Sequence, residues 1–257
     1  MTGTPDETLR GPLRGRRVVV TRAEEQAGPL GDGLRARGAV AVLVPSIRYE
    51  PADAGPLAAA AAEIDRAAYV VFTSPTGVAY GSAAIRSAWP GGLPAGVRVA
   101  AVGPGTAAAC ASAGLPADFV PADALGDALV AELPVVPGDR VVLLRSDIGR
   151  RALATGLVAR GADVRDVAAY RTLESADPDT VAAVLASAPD AVTFASPSAV
   201  RGFVSAVPDV SALAGVRLVA IGPVTAEALV PFGLSADAVA RPYTVPGLLA
   251  TLDALFS

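Results

Sequence analysis

Short apolar runs alternate along the chain with longer stretches of helical period. The runs "RVVVTR" at 17–22, "YVVFTS" at 69–74 and "VRVAAVG" at 97–103 are typical of strands that are buried on both faces. The segments between such runs are rich in Ala, Leu and Arg, as in "EQAGPLGDGLRARG" at 25–38, which predicts a helix ending at a glycine. This alternation of strands and helices with short connections predicts parallel sheets covered by helices on both faces.

The alternating pattern occurs twice in the chain. The copies keep their order and lie 119 to 123 residues apart. The matching pairs are "GRRVVVTRAEEQ" at 15–26 with "GDRVVLLRSDIG" at 138–149, "FTSPTGVA" at 72–79 with "TFASPSAV" at 193–200, and "AVGPGTAAA" at 101–109 with "AIGPVTAEA" at 220–228. A period of this length indicates a duplicated domain, because solenoid repeats are only about 20–50 residues long.

Composition limits the class of protein. With 257 residues, of which 52% are hydrophobic, each half is long enough to bury its own core. A net charge of −4 argues against a general nucleic-acid binder. No apolar run is long enough to span a membrane, and the polar N-terminus does not have the pattern of a signal peptide. Because Cys110 is the single cysteine, no intrachain disulfide is expected, and a cytoplasmic location is the prediction.

Missing residue types restrict the chemistry further. The sequence contains no His and no Lys, which excludes Ser-His-Asp and Cys-His triads, imidazole metal sites and lysine Schiff bases. We therefore predict no metal site. All positive side-chain charge is carried by Arg, which stays protonated and binds carboxylates or phosphates in a planar fork. Carboxylates, Tyr, Ser, Thr, Arg and main-chain dipoles remain for binding and catalysis.

The loops that follow the strands are the candidate binding sites, because ligands of open α/β sheets bind beyond the carboxyl ends of the strands. In "TSPT", "GPGT" and their copies "ASPS" and "GPVT", a Ser or Gly precedes a proline that can begin a helix. A helix N-terminus has unpaired N–H groups and a partial positive charge, so each loop is either an anion site or an ordinary cap. The candidates in these loops and at the ends of the first strands are Arg22, Ser74, Thr106, Arg145, Ser146, Ser196 and Thr225.

Six segments together resemble one known family. They are "VVVTRAEEQAGPLGDGLRARGA", "VVFTSPTGV", "VAAVGPGTAAA", "LLRSDIGRRALATGLVARGADVRDVAAYRT", "VTFASPSAV" and "LVAIGPVTAEAL", between residue 15 and about residue 250. Their order and spacing, with "AAYRT" at 168–172, are similar to those of the uroporphyrinogen-III synthase family. The resemblance implies a cofactor-free lyase of porphyrin and heme biosynthesis. Such an enzyme cyclises the linear tetrapyrrole hydroxymethylbilane, with loss of water and inversion of ring D through a spiro intermediate, whereas unassisted closure gives the type I isomer.

The resemblance also implies a domain arrangement that the repeat alone does not predict. The repeat favours two sequential domains, divided near 133–139. The family implies two similar doubly wound, flavodoxin-like parallel-sheet domains with swapped halves, a two-stranded linker and a substrate cleft between the domains. The implied parts are a flexible tail (1–14), domain 1 (15–46 plus 173–257), domain 2 (47–172) and crossing linkers near 45–51 and 168–174.

The same resemblance implies roles for the candidate residues. The hydroxyl and N–H groups of the strand-to-helix loops would bind the carboxylates of the substrate, and Arg22 and Arg145 would add positive charge. Tyr170 matches the tyrosine of the family in "AAYRT" and would donate a proton to the departing hydroxyl, because a phenol with a pKa near 10 is protonated at pH 7. The alternative for Tyr170 is a half-buried linker aromatic with a hydrogen-bonded hydroxyl.

Three other interpretations stay open. "GPGTAA" at 103–108 with Asp123 has the outline of a dinucleotide-binding fingerprint and would indicate a nucleotide-dependent oxidoreductase, although its copy "GPVTAE" lacks the second glycine. A non-catalytic tetrapyrrole-binding module of the same fold would share all the motifs. A periplasmic-type ligand clamp also has two lobes and two crossovers, but the missing signal sequence argues against it. For partners, we expect a monomer, a transient contact with hydroxymethylbilane synthase, and neither nucleic acid nor membrane.

Overall fold

The computed structural model describes residues 11–149 and 151–257. The chain divides into two compact units, of which unit 1 is Met1–Arg48 with Leu173–Ser257 and unit 2 is Tyr49–Thr172. Residues 1–10 of the predicted tail lie outside the described residues. Leu13, also in that predicted tail, is fully buried in a core of unit 1, so the packed part of this unit begins before residue 15.

Strands and helices alternate through both units. The strands are β1 (Arg17–Val20), β2 (Val40–Leu43), β3 (Ile47–Pro51), β4 (Tyr69–Phe72), β5 (Arg98–Ala101), β6 (Arg140–Ser146), β7 (Asp163–Glu174), β8 (Ala191–Phe194), β9 (Arg217–Ala220) and β10 (Ala238–Val239). The helices are α1 (Glu24–Arg35), α2 (Ala54–Ala62), α3 (Pro75–Ala88), α4 (Pro104–Ser112), α5 (Gly126–Glu132), α6 (Ala152–Ala159), α7 (Pro178–Ala186), α8 (Pro197–Ser205), α9 (Pro223–Glu227) and α10 (Val245–Leu255). Short 3₁₀ helices lie at Ile64–Arg66, Val210–Leu213 and Val230–Phe232.

The strands form two sheets of five strands each. One sheet has the order β10-β9-β8-β1-β2 and the other has the order β3-β7-β6-β4-β5. The pairings of β1 with β2 and β8, of β9 with β8 and β10, of β4 with β5 and β6, and of β6 with β7 are all parallel. The prediction of two α/β domains with parallel sheets is therefore confirmed.

The apolar strand runs are buried on both faces of the sheet, as their composition predicts. In β6, Val142 and Leu144 belong to one core cluster, and Val141 and Leu143 belong to another. Successive side chains of a strand point to opposite faces, so the two clusters lie on opposite sides of this sheet. The sheet therefore holds the carboxyl ends of its strands, and the loops that follow them, in a rigid frame.

Burial of Cys110 in α4 predicts a pH dependence of stability. The thiol is fully buried, and burial raises its pKa from 9.0 to about 11. Between pH 9 and pH 11, the thiol of the unfolded chain loses its proton while the thiol of the folded chain keeps it. The free energy of unfolding therefore falls as pH rises through this range. The loss amounts to about 1 kcal/mol at pH 10.

Urea unfolding at pH 8 and pH 10 checks this prediction. In Cys110→Ala, the loss of unfolding free energy between the two pH values is expected to be about 1 kcal/mol smaller than in the wild type. The comparison uses the difference between two pH values, so the cavity that the substitution leaves cancels. An equal loss in both proteins would contradict the burial of the thiol.

Candidate active site

A topological switch point of the second sheet lies between β4 and β6. These strands are neighbours, yet the chain runs from β4 to β5 in one direction along the sheet and from β6 to β7 in the other. Ligands of open α/β sheets bind in the crevice outside the carboxyl ends of the strands at such a point. Ser74 follows β4 and Ser146 ends β6, so two of the predicted site residues lie at this crevice.

Ser74 begins α3 in the manner that "SP" predicts. Its Oγ accepts a hydrogen bond from the N–H of Gly77 at 3.0 Å, and Pro75 occupies the first helical position. A side chain at position 77 would place its Cβ only 3.1 Å from the carbonyl oxygen of Leu144 in β6, and Gly77 has none. The first turn of α3 can therefore pack closely against β6.

Tyr170 on β7 directs its hydroxyl to this helix start. The Oη of Tyr170 lies 3.0 Å from the Oγ of Ser74, with either group able to donate, and the residue is only 6% exposed. The ring of Tyr80 in α3 stacks on that of Tyr170 with centroids 5.7 Å apart, and the ring of Tyr49 in β3 meets it edge-on at 5.4 Å. Packing on two sides thus leaves the ring little freedom.

The surroundings of Tyr170 keep its phenol protonated. Burial is the main cause that raises its pKa above 10.0, and the negative charge of Asp147 raises it further. Hydrogen bonds with Ser74, Ser146 and Thr76 act in the opposite direction without reversing the shift. The phenol therefore holds a proton that it can donate at pH 7, although its raised pKa makes it a weaker acid than a free tyrosine.

A second hydroxyl cluster lies beside the first. The Oγ of Ser146 lies 2.8 Å from the Oγ1 of Thr172, and it donates to Oδ1 of Asp147 at 3.0 Å. The structure therefore brings the predicted residues Ser74, Ser146 and Tyr170 together. Thr172 and Asp147 were missed from the sequence, although "RSD" directly after a buried strand was a signal for Asp147.

Arg145, a predicted carboxylate ligand at the end of β6, is paired with an acidic residue of the protein itself. Its side chain is buried and forms a bidentate ion pair with Asp166 of β7, with the Nε of Arg145 2.7 Å from the Oδ1 of Asp166. A Cβ on Gly149 would lie 2.2 Å from the guanidinium, so the following loop packs directly on it. The positive charge is balanced within unit 2, and Arg145 supports the loop after β6.

The other predicted residues are distributed over both units. Ser196 begins α8 as Ser74 begins α3, with its Oγ accepting from the N–H of Ala199 at 3.1 Å. Arg22 donates to Oε1 of Gln26 at 3.1 Å. Thr106 and Thr225 are buried in the first turns of α4 and α9. These four residues are not part of the hydroxyl clusters around Tyr170.

Two kinds of feature and one alternative were compared with the described ranges: a metal-binding cluster, a membrane-spanning helix and the dinucleotide fingerprint. Across residues 11–149 and 151–257, no group of three or more His, Cys, Asp or Glu side chains is placed to hold a metal ion. Over the same ranges, no helix is long and apolar enough to cross a membrane. Asp123 lies in an irregular segment after α4 rather than at the end of a strand, as a dinucleotide fingerprint would require.

Comparisons with known proteins identify the family of this chain. Residues 7–250 match the family described as uroporphyrinogen-III synthase HemD. The uroporphyrinogen-III synthase of Synechococcus elongatus is 30% identical over 256 residues, which cover 94% of this chain and 96% of the relative. A putative uroporphyrinogen-III synthase of Methanothermobacter thermautotrophicus is 29% identical over 246 residues, covering 91% and 96%.

Solved structures show the same fold. A mutant uroporphyrinogen III synthase from the extremely thermophilic bacterium Thermus thermophilus has a TM-score of 0.63 at 22% identity, covering 92% of this chain and 96% of that chain. The enzyme from Helicobacter pylori has a TM-score of 0.57 at 16% identity, covering 91% and 97%. At these identities the structures establish the fold, whereas the sequence match over nearly the whole length establishes the family. The chain belongs to the uroporphyrinogen-III synthase family, a family of lyases of tetrapyrrole biosynthesis.

Proposed function

We propose that this chain is an active uroporphyrinogen-III synthase that cyclises hydroxymethylbilane, with inversion of ring D, by acid assistance and conformational control. Membership of the family supports the reaction. The observation that carries the assignment of the site is the 3.0 Å contact between the hydroxyl groups of Tyr170 and Ser74, at the N-terminus of α3 and at a switch point of the sheet.

Tyr170 is the proton donor in this proposal. Loss of the terminal hydroxyl of the substrate as water needs one proton, which the neutral phenol supplies as the C–O bond breaks. The Ser74 hydroxyl can then donate to the phenolate oxygen, which limits the cost of the charge that forms on Tyr170. Ring closure later releases a proton from the attacking pyrrole, so the phenol is restored and the overall reaction loses only water.

The N-terminus of α3 is the proposed anchor for a substrate carboxylate. The partial positive charge at the start of the helix favours an anion near Ser74. Holding the substrate by its carboxylates would favour the spiro route over simple closure, because orientation accounts for much of the catalysis. Binding of further carboxylates stays a prediction for Arg22, Thr106, Arg145, Ser146, Ser196 and Thr225, and the charge of Arg145 is partly balanced by Asp166.

Several expectations about the context of the enzyme stay predictions. They are the monomeric state, the cytoplasmic location, the absence of a cofactor and the transient contact with hydroxymethylbilane synthase. Sedimentation at micromolar concentration tests the monomeric state, and cross-linking to hydroxymethylbilane synthase during turnover tests the contact.

The isomer of the product tests the proposed function. Hydroxymethylbilane generated in situ is incubated with the chain, the products are oxidised, and type I and type III uroporphyrins are separated by chromatography. We expect type III to predominate. If the chain binds a tetrapyrrole tightly while only type I forms, the chain is a binding module rather than a synthase.

A further inference from the structure

The strand that carries Tyr170 contains a one-residue irregularity next to this residue. The pairing of β6 with β7 is regular up to Arg145 and Ala168, and the next pair is Ser146 with Tyr170. Ala169 is therefore an extra residue in β7, as in a β-bulge. Bulges of this kind redirect a side chain, and they occur frequently next to active sites.

Because of the bulge, Tyr170 lies on the same face of the sheet as Ala169. Val167 and Ala169 are two residues apart and pack in one core cluster, and Tyr170 packs in the same cluster although it directly follows Ala169. In a regular strand, Ala169 and Tyr170 would point to opposite faces of the sheet. The contact of the phenol with Ser74 therefore depends on the bulge.

Asp147 makes two hydrogen bonds to the main chain of β7 directly after the extra residue Ala169. Its N–H donates to the carbonyl oxygen of Tyr170 at 3.0 Å, and its Oδ1 accepts from the N–H of Thr172 at 3.1 Å. The same Oδ1 accepts from the Oγ of Ser146 at 3.0 Å. Because β6 ends at Ser146, the carboxylate supplies a hydrogen-bond acceptor to β7 where the main chain of β6 no longer does.

We propose that Asp147 is a positioning residue that holds the bulge of β7 and thereby keeps the Tyr170 hydroxyl on Ser74. Its effect on catalysis rests on the proposed function, since Asp147 acts through Tyr170. The role rests on geometry alone, because the charge of Asp147 raises the pKa of Tyr170 and so disfavours proton donation by the phenol. The residue is exposed, so Asp147→Ala removes the two bonds to Oδ1 without opening a core, while the main-chain N–H of residue 147 can still donate to Tyr170.

The variants separate the hydrogen-bond acceptor from the charge. Asp147→Ala removes both, whereas Asp147→Asn keeps an acceptor oxygen. Asp53→Ala is the matched control, because Oδ1 of Asp53, an exposed carboxylate in the same unit, also accepts from a main-chain N–H, that of Gly55 at 3.0 Å. Circular dichroism and urea unfolding establish that each variant is folded.

The first readout does not need activity. With ring-labelled tyrosine, NMR follows Tyr170, whose signals are assigned by their loss in Tyr170→Phe. Asp147→Ala is expected to shift these signals, because the ring of Tyr170 leaves its place between the rings of Tyr49 and Tyr80. In Asp147→Asn and Asp53→Ala, the signals are expected to keep their wild-type chemical shifts. Unchanged Tyr170 signals in Asp147→Ala would overturn the proposal, even if the chain made no type III product.

The second readout is a double-mutant cycle on kcat. Asp147→Ala is expected to lower kcat about tenfold and to change KM less than about twofold, while Asp147→Asn stays within about threefold of the wild type. Asp147→Ala combined with Tyr170→Phe is expected to have the kcat of Tyr170→Phe alone. If the effects of the two substitutions on kcat multiply in the double variant, Asp147 does not act through Tyr170.

A wild-type chain that forms no type III product would contradict the proposed function. The NMR comparison would then decide on the role of Asp147.

Discussion

Replacing Tyr170 with phenylalanine is expected to lower kcat about a hundredfold, the range for loss of a general acid, while type III remains the main product. The ring keeps its packing against Tyr49 and Tyr80, so KM is expected to change less than about twofold. Activity remains because orientation of the substrate does not depend on the phenol proton. Steady-state kinetics with chromatographic analysis of the isomers measures both quantities.

Tyr80→Phe is the matched control for this experiment. It also removes one hydroxyl, from the ring that stacks on Tyr170, but it leaves the Tyr170–Ser74 contact in place. We expect it to have the kcat of the wild type. If Tyr170→Phe and Tyr80→Phe behave alike, the hydroxyl of Tyr170 has no special part in the reaction, and the interpretation of Tyr170 as a packing residue is correct.

Replacing Gly202 with alanine is expected to destabilise unit 1 by about 3 kcal/mol. A Cβ at this position of α8 would lie 2.0 Å from the carbonyl oxygen of Ser46, which is fully buried. That carbonyl also accepts the N–H of Ser175 at 3.1 Å, so it cannot move without loss of a hydrogen bond. The helix must shift or the residues around Ser46 must rearrange, and urea unfolding measures the cost.

Gly28→Ala in α1 of the same unit provides the control. Apart from its chain neighbours, no heavy atom lies within 4 Å of a Cβ at Gly28, and the clash of that Cβ with the following Pro29 offsets the gain in helix propensity, so we expect the free energy of unfolding to change by less than about 1 kcal/mol. A clearly larger loss in Gly202→Ala than in Gly28→Ala would confirm the close contact at Ser46. Equal unfolding free energies for the two variants would show that α8 does not pack against Ser46 as described.

The parts of the fold that the sequence predicts are those that depend on neighbouring residues. "YVVF" at 69–72 predicts a strand buried on both faces, and β4 is buried throughout. "SP" at 74–75 and 196–197 predicts a serine cap followed by proline, and both serines accept a first-turn N–H. These features are local, so propensity and hydrogen-bonding chemistry suffice to predict them.

The parts that the sequence did not predict depend on residues far apart in the chain. The repeat alone favours sequential domains, but β1 pairs with β8, with Val18 opposite Ala191, and this pairing excludes that division. The ion pair of Arg145 with Asp166 joins residues 21 positions apart, and no local pattern reveals it. The role of Asp147 depends on a register shift of one residue between β6 and β7, which leaves no trace in hydrophobic periodicity.

A single-turnover experiment shows whether this chain is a synthase. The chain is held in excess over freshly generated hydroxymethylbilane, so that binding competes well with unassisted closure, and the uroporphyrin isomers are quantified after oxidation. We expect almost entirely type III product from the wild type, formed more slowly by Tyr170→Phe. Type I as the only product of a folded wild-type chain would contradict the assignment of this chain as a uroporphyrinogen-III synthase.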